Sequence, residues 1–334
     1  MTPAPIYNII GAGALGTMVA AKMAQAGIDI RLIVRDGSMK HAIAKQHRGG
    51  IVRIVVDDDE GIDVEVATSP KRNALSSDPS RYVLCTKAYD AKTGVSVCEP
   101  GARVITLCNG SLALRSALNG LNLELVRATT THGCWEKSPF EIVHAGFGRI
   151  WISSDDAGGL EMAQHFKRAG LGAIPLSASE MDNRLWSKLA ANCVLNPITA
   201  LLACNNGNAL PRAEPLARRV CTEIANLRFT SFTFDNTHVQ TYANRLYEDV
   251  AECARENANN FSSMFQDLRH GRRTEIDFLN GWVASASAQA NPPLSAPANL
   301  KLAMAIRNKS KFPAHPSYLL NDLLSDSLLA DNDR

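Results

Sequence analysis

Several ordinary signals are missing from this sequence, and each absence excludes a class of protein. No stretch is both long and apolar enough to span a bilayer; residues 189–203 come nearest, but they are too few and include Asn192, Asn196 and Pro197. Residues 1–5 hold neither the charged region nor the apolar run of a secretion signal, which leads us to expect a cytoplasmic protein. None of the eight cysteines falls in a C-x-x-C spacing, so reduced structural thiols are expected rather than a disulfide framework or a metal site. The formal net charge is only +2 and there is no run of Lys and Arg, so neither a nucleic-acid nor a membrane-surface partner is expected. No repeat and no low-complexity block interrupts the chain.

What is present is the pattern of a two-domain globular protein. A chain of 334 residues is long for a single core. Its first half alternates short β-branched runs (6–10, 28–34, 51–56, 81–86, 103–107, 123–128) with helical stretches near 14–26 and 112–118, which predicts a mostly parallel sheet covered by helices. Glycine-punctuated strands over 133–153 are expected to extend that sheet in antiparallel fashion. A further helix and strand, 160–169 and 173–176, close the domain. Beyond residue 179 helical stretches dominate: 183–203, 214–232, 239–257, 274–290 and 297–307. The expected division is therefore an α/β domain over 1–178 and an all-α domain over 179–334, with a tail, 309–334, to which no function is assigned.

The first strand runs straight into Gly11-Ala12-Gly13-Ala14-Leu15-Gly16, and an amphipathic helix follows. A lone G-x-G-x-x-G is a weak signal, but a strand before it and a helix after it supply the context a dinucleotide-binding, Rossmann-type domain requires. Gly11 permits the tight turn, Gly13 lets the backbone approach a diphosphate, and Gly16 lets the helix pack closely. The diphosphate then rests on the unpaired N–H groups of the helix start. The second strand ends at Arg35-Asp36. Arg at this place suits the 2′-phosphate of NADP(H), which makes NADPH the expected cofactor. The alternative gives the ribose contact to Asp36 and leaves Arg35 a solvated charge.

Lys188, Asn192 and Asn196 are spaced i, i+4, i+8, so they line one face of a helix, and the residues between them are largely apolar. Buried Lys and Asn require partners, and a structural network would satisfy them. A substrate site would do so too: an ammonium stabilises charge growing on a carbonyl oxygen and supplies the proton, while amides hold a carboxylate or hydroxyl. An acidic partner to orient the lysine would complete the set. Pro197 should kink the helix and re-aim Asn205-Asn206-Gly207.

With these segments the chain resembles the ketopantoate reductase (2-dehydropantoate 2-reductase) family, from about Ile6 to Asn308. The resemblance rests on Gly11–Gly16, on Thr86-Lys87-Ala88-Tyr89-Asp90, on Asn109-Gly110 and on the Lys188…Asn192…Asn196-Pro197 helix. Ser262-Ser263-Met264-Phe265-Gln266-Asp267 with Arg273-Thr274-Glu275-Ile276-Asp277 is the fifth segment, and Thr129-Thr130-Thr131-His132 also matches. The resemblance implies NADPH-dependent reduction of ketopantoate to pantoate in pantothenate and coenzyme A biosynthesis. It implies a helical domain like the C-terminal domain of 6-phosphogluconate dehydrogenase. By the same resemblance Lys188 is the proton donor and Glu275 the acid that orients it. Asn192, Asn196, Asn206 and Ser263 bind substrate, and Arg35, Lys87 and Asn109 hold NADPH, with Asn109 also near the substrate. Gly133 makes a backbone contact to the cofactor. His132 is expected to be structural.

Two departures stand out: Cys108 where Gln or His is common before Asn109-Gly110, and the tail beyond Lys309. They leave room for a paralogue that reduces another 2-oxo acid. A β-hydroxyacid dehydrogenase of the 6-phosphogluconate type would also carry a Lys-x-x-x-Asn pair, but not the Ser262–Asp277 segment. An NADP-sensing regulator would keep the glycine loop and lose Lys188 and Glu275. A homodimer is left open. The chemistry is expected in a cleft between the domains, assembled when NADPH binds.

Overall fold

The computed structural model describes residues 6–71, 80–230 and 235–311. By internal contacts the chain divides into two compact units, Met1–Leu185 and Trp186–Arg334. The sequence placed a boundary after residue 178; the contact division instead falls inside the helix that begins at Ala178.

In the first unit the strands are β1 (Tyr7–Ile10), β2 (Ile30–Ile33), β3 (Ile51–Val56), β4 (Ile62–Ala67), β5 (Arg81–Leu84), β6 (Ala102–Thr106), β7 (Leu123–Val126), β8 (Ala128–Thr130), β9 (Gly133–Ser138), β10 (Glu141–Gly146), β11 (Ile150–Ser153) and β12 (Ala173–Leu176). Its helices are α1 (Ala14–Gln25), α2 (Met39–Lys45), the single turn α3 (Ala91–Gly94), α4 (Ser111–Leu118) and α5 (Gly159–Arg168). A nine-stranded sheet has the order β7-β6-β5-β1-β2-β4-β3-β10-β9, and every pairing from β7 to β4 is parallel. β1 and β5 are buried along their whole length, as strands inside a covered parallel sheet should be, and their polar members are paired: Asn8 Oδ1 accepts from the Lys71 N–H and Arg81 pairs with Glu161. On one face α1 buries Met18, Val19 and Met23.

The 133–153 segment behaves differently at its two ends. β9 and β10 form the expected antiparallel hairpin on the large sheet, but β11 leaves it for a separate three-stranded sheet, β12-β11-β8. β4 carries the alternation Ile62-Asp63-Val64-Glu65-Val66-Ala67 of a half-buried strand, and the sequence reading passed over it.

The second unit is helical: α6 (Ala178–Leu202, shared with the first unit), α7 (Leu210–Phe229), α8 (Asn236–Glu256), α9 (Ser263–Arg269), α10 (Asn280–Ala288) and α11 (Pro297–Lys311). The helix expected over 274–290 is interrupted. A single 3-10 turn, Ile276–Phe278, is followed by Leu279 at φ −114°, ψ −106°, and only then does α10 begin. In α7, Ala213 is non-helical just before Pro215, so the regular helix restarts near the expected residue 214. The apolar stretch 318–324 of the tail lies outside the described residues.

Candidate active site

Four neighbouring parallel strands of the first unit end level with one another. Ile10 of β1 is in register with Ile33 of β2 and Leu84 of β5, and Leu84 is in register with Thr106 of β6. The segments leaving these ends carry Gly11–Gly16, Arg35, Lys87 and Asn109. Four motifs spread over about a hundred residues thus share one sheet edge. The strand order reverses between β1 and β5, the place where open α/β sheets bind ligands.

Gly11 has φ +102°, and a Cβ there would lie 2.9 Å from the Cys85 carbonyl carbon. A Cβ on Gly16 would come within 1.9 Å of the Gly11 carbonyl oxygen, so the first turn of α1 closes directly onto the loop. Around Gly13 the situation is reversed: it is exposed, and nothing lies within 4 Å of where a Cβ would be. Gly13 caps α1 without a side-chain hydrogen bond, and the first turn holds no acidic residue. Its N–H groups and the positive end of the helix dipole are thus available to an anion. These residues fit a dinucleotide diphosphate. Ala12, Ala14 and Leu15 are half-buried and pack on the core beneath, while Lys40 hydrogen-bonds the Ala12 carbonyl and pairs with Glu136.

At the end of β2, Asp36 is engaged in its own turn. Its Oδ1 accepts from the Gly37 N–H at 2.9 Å and lies 2.9 Å from His41 Nδ1. The Arg35 side chain is exposed, with no hydrogen-bond or ion-pair partner among the described residues. Lys87 is half-buried ahead of the turn Ala88–Asp90, and Asn109 is half-buried ahead of Gly110, which starts α4 at φ +69°. Gly133 is exposed at the start of β9, at the far edge of the sheet order. Its neighbour Cys134 nevertheless packs on the same core as Ala12 and Leu15. Burial, and then the Cys108 and Cys134 thiols, push the Cys85 thiol well up.

His132 is engaged structurally. Its Nε2 faces the Leu171 carbonyl at 3.0 Å and must therefore carry the proton, which leaves Nδ1 to accept from Gly148 N–H (3.1 Å) and His144 Nε2 (2.9 Å). Burial and the His132 ring lower the His144 pKa below its ordinary 6.5.

In the second unit, Lys188, Asn192 and Asn196 all lie on α6; the two asparagines are buried and Lys188 is half-buried. The helix continues through Pro197 to Leu202, so the proline does not end it. Glu275 is buried one residue ahead of the 3-10 turn. That segment is tied to α6 by Asn280, whose Nδ2 donates to the Cys193 carbonyl at 2.9 Å. Asn206 is buried; its Nδ2 donates to the Asn257 carbonyl (3.2 Å), which orients the amide. Its Oδ1 is left as a buried acceptor without a partner among the described residues, suited to a ligand hydroxyl or N–H.

Ser263 is exposed at the first position of α9. The residue that links α9 to α6 is Ser262: it caps α9 by accepting from Phe265 N–H, and it bonds Thr199 Oγ1 at 2.7 Å. In the sequence Ser262 falls within a matching segment but is given no role, although serine just before a helical run is an N-cap signal. Nothing in the sequence marked Lys40.

A family model for the C-terminal part of ketopantoate reductases (PanE/ApbA) matches residues 180–310, and the corresponding N-terminal model matches residues 7–156. The chain is 28% identical over 284 residues to a 2-dehydropantoate 2-reductase of Archaeoglobus fulgidus, covering 83% of this chain and 88% of that protein. It is 26% identical over 308 residues to the Vibrio cholerae protein of the same name, covering 90% and 96% respectively. A solved structure of a PanE/ApbA family ketopantoate reductase from Ralstonia eutropha is 25% identical; the match covers 93% of this chain and all of that one, with a TM-score of 0.70.

Proposed function

The chain belongs to the ketopantoate reductase family of oxidoreductases, and on that premise we propose that it reduces ketopantoate to pantoate with NADPH. What supports this most is the stripe of α6: a lysine and two buried amides in helical register, in a unit tied together around them. Bound NADPH supplies the hydride. Lys188 gives its proton to the oxygen on which charge develops, and Glu275 orients that ammonium. Asn192, Asn196 and Ser263 hold the substrate carboxylate and hydroxyl, and the Asn206 Oδ1 accepts from a substrate hydroxyl. On the cofactor side, α1 and Gly11–Gly16 hold the diphosphate and Arg35 holds the 2′-phosphate. Asp36 is already committed to its own turn, which favours Arg35 over Asp36 in that role. Lys87, Asn109 and the backbone at Gly133 complete the cofactor contacts, with Asn109 also toward the substrate. The pathway assigned is pantothenate and coenzyme A biosynthesis.

The test is oxidation of NADPH against a panel of 2-oxo acids that includes ketopantoate. Highest kcat/KM with ketopantoate supports the proposal. Clear preference for another 2-oxo acid makes the chain a paralogue of different specificity, and binding of NADPH without turnover of any of them makes it a cofactor sensor.

A further inference from the structure

Pro197 leaves a gap in the helix that carries the polar stripe. A proline has no N–H, so the carbonyl four residues earlier, Cys193, loses its intrahelical donor, and the ring crowds that carbonyl outward. Cys193 lies between Asn192 and Asn196, inside the stripe. Its carbonyl is taken by a side chain from elsewhere in the unit: Asn280 Nδ2, at 2.9 Å.

Asn280 is completely buried, and its second Nδ2 hydrogen bond goes to Asn299 Oδ1 at 3.0 Å. Two oxygen acceptors on one nitrogen fix the orientation of the amide. Asn299, also completely buried, donates through Nδ2 to Glu223 Oε2 at 2.8 Å. The Glu223 carboxylate in turn accepts the Ala298 and Asn299 backbone N–H groups at 2.8 and 2.9 Å, capping the start of α11. A single polar chain thus runs from the α11 N-terminus through Glu223, Asn299 and Asn280 to the break in α6.

We propose that Asn280 is a positioning residue for the reaction: it replaces the hydrogen bond that Pro197 removes and so holds Asn192 and Asn196 at the correct angle on α6. This rests on the functional role proposed above for the stripe. Without the Asn280 amide the Cys193 carbonyl is buried and unpaired, and α6 must bend or shift at this turn to reach another donor. Misplacement of catalytic groups by about 1 Å is enough to cost on the order of 10- to 100-fold in rate.

A double-variant experiment tests the specific link to the proline. Asn280→Ala is expected to lower kcat with ketopantoate about 10- to 100-fold and leave the NADPH dissociation constant within about twofold of wild type. Pro197→Ala restores an N–H that can reach the Cys193 carbonyl, so adding it to Asn280→Ala should recover most of the lost kcat. In the Pro197→Ala background, removing Asn280 should cost less than threefold, roughly the scatter of additive variants. Additive losses, with no recovery in the double variant, overturn the proposal. If Asn280→Ala alone does not accumulate as folded protein, return of folded, active protein in the double variant supports it, and failure to return overturns it. Failure of the underlying function is distinguishable: Lys188→Ala would then retain turnover, while the Asn280–Pro197 coupling would still appear in the melting temperature and not in kcat.

Discussion

Gly13 and Gly16 sit one helical turn apart, yet an added methyl group should have opposite consequences at the two. Alanine is favoured over glycine within a helix by about 1 kcal/mol, so Gly16 needs a steric reason to be glycine. A Cβ at Gly16 would lie 1.9 Å from the Gly11 carbonyl oxygen and 3.0 Å from Cys85 Cβ, and the oxygen belongs to the backbone and cannot rotate aside. To reach an ordinary contact the start of α1 must move outward by about 1.5 Å, and against backbone that cannot give way the overpacking strain falls in the upper part of its usual range, about 2–3 kcal/mol. After the propensity gain is subtracted, a net loss of about 1–2 kcal/mol should lower the melting temperature of the first unit by roughly 2–8 °C. The same displacement moves the N–H groups of the helix start, so NADPH affinity should fall at least tenfold.

Gly13→Ala meets nothing within 4 Å and has no positive φ to accommodate. Alanine is a poorer N-cap than glycine by up to about 1 kcal/mol, and the reduced freedom of the unfolded chain offsets this by about 0.4–1 kcal/mol. Its melting temperature should stay within about 2 °C of wild type. NADPH affinity should still fall about tenfold, because the methyl occupies the space a diphosphate would use. Scanning calorimetry and fluorescence titration with NADPH measure both quantities. A Gly16→Ala protein that melts with the wild type refutes the close approach of α1 to the loop. A Gly13→Ala protein with unchanged NADPH affinity refutes the loop as the diphosphate site.

Further outcomes are expected elsewhere. Arg35→Ala should weaken NADPH by roughly 10- to 100-fold and leave NADH little changed, since the lost contact is a charge-assisted one to the 2′-phosphate; equal losses for both cofactors would reject Arg35 as that ligand. Lys188→Ala should cost about 10²–10⁴-fold in kcat with NADPH binding preserved, and a folded variant with normal turnover would remove the proton-donor role. The pKa of His144 is lowered in the native state by burial and by His132, so below an unfolded-state value of about 6.5 the unfolded chain takes up the proton first and stability falls as pH drops through that value. His165, lowered mainly by burial, contributes with the same sign, so the measurement is the difference between wild type and His144→Gln in urea unfolding at pH 7.5 and 5.5. No difference in slope would show that His144 does not carry the linkage.

The sequence by itself determined which segments matter. The short β-branched runs located β1, β3 and β6, because side chains that a sheet buries leave an apolar mark that needs no partner to recognise. The i, i+4, i+8 spacing placed Lys188, Asn192 and Asn196 on one helix face for an equally local reason. Tertiary structure decided what those segments share. That Gly11, Arg35, Lys87 and Asn109 leave one sheet edge depends on the order β6-β5-β1-β2, which pairing sets and no single segment encodes. The break at Leu279 replaced an expected continuous helix because Asn280 starts α10 with its amide already committed to the Cys193 carbonyl and to Asn299, contacts distant in sequence. Pro197 shows the same division within one residue. Its missing N–H is read directly from the sequence; whether the freed carbonyl ends the helix or finds another donor depended on Asn280 arriving from more than eighty residues away.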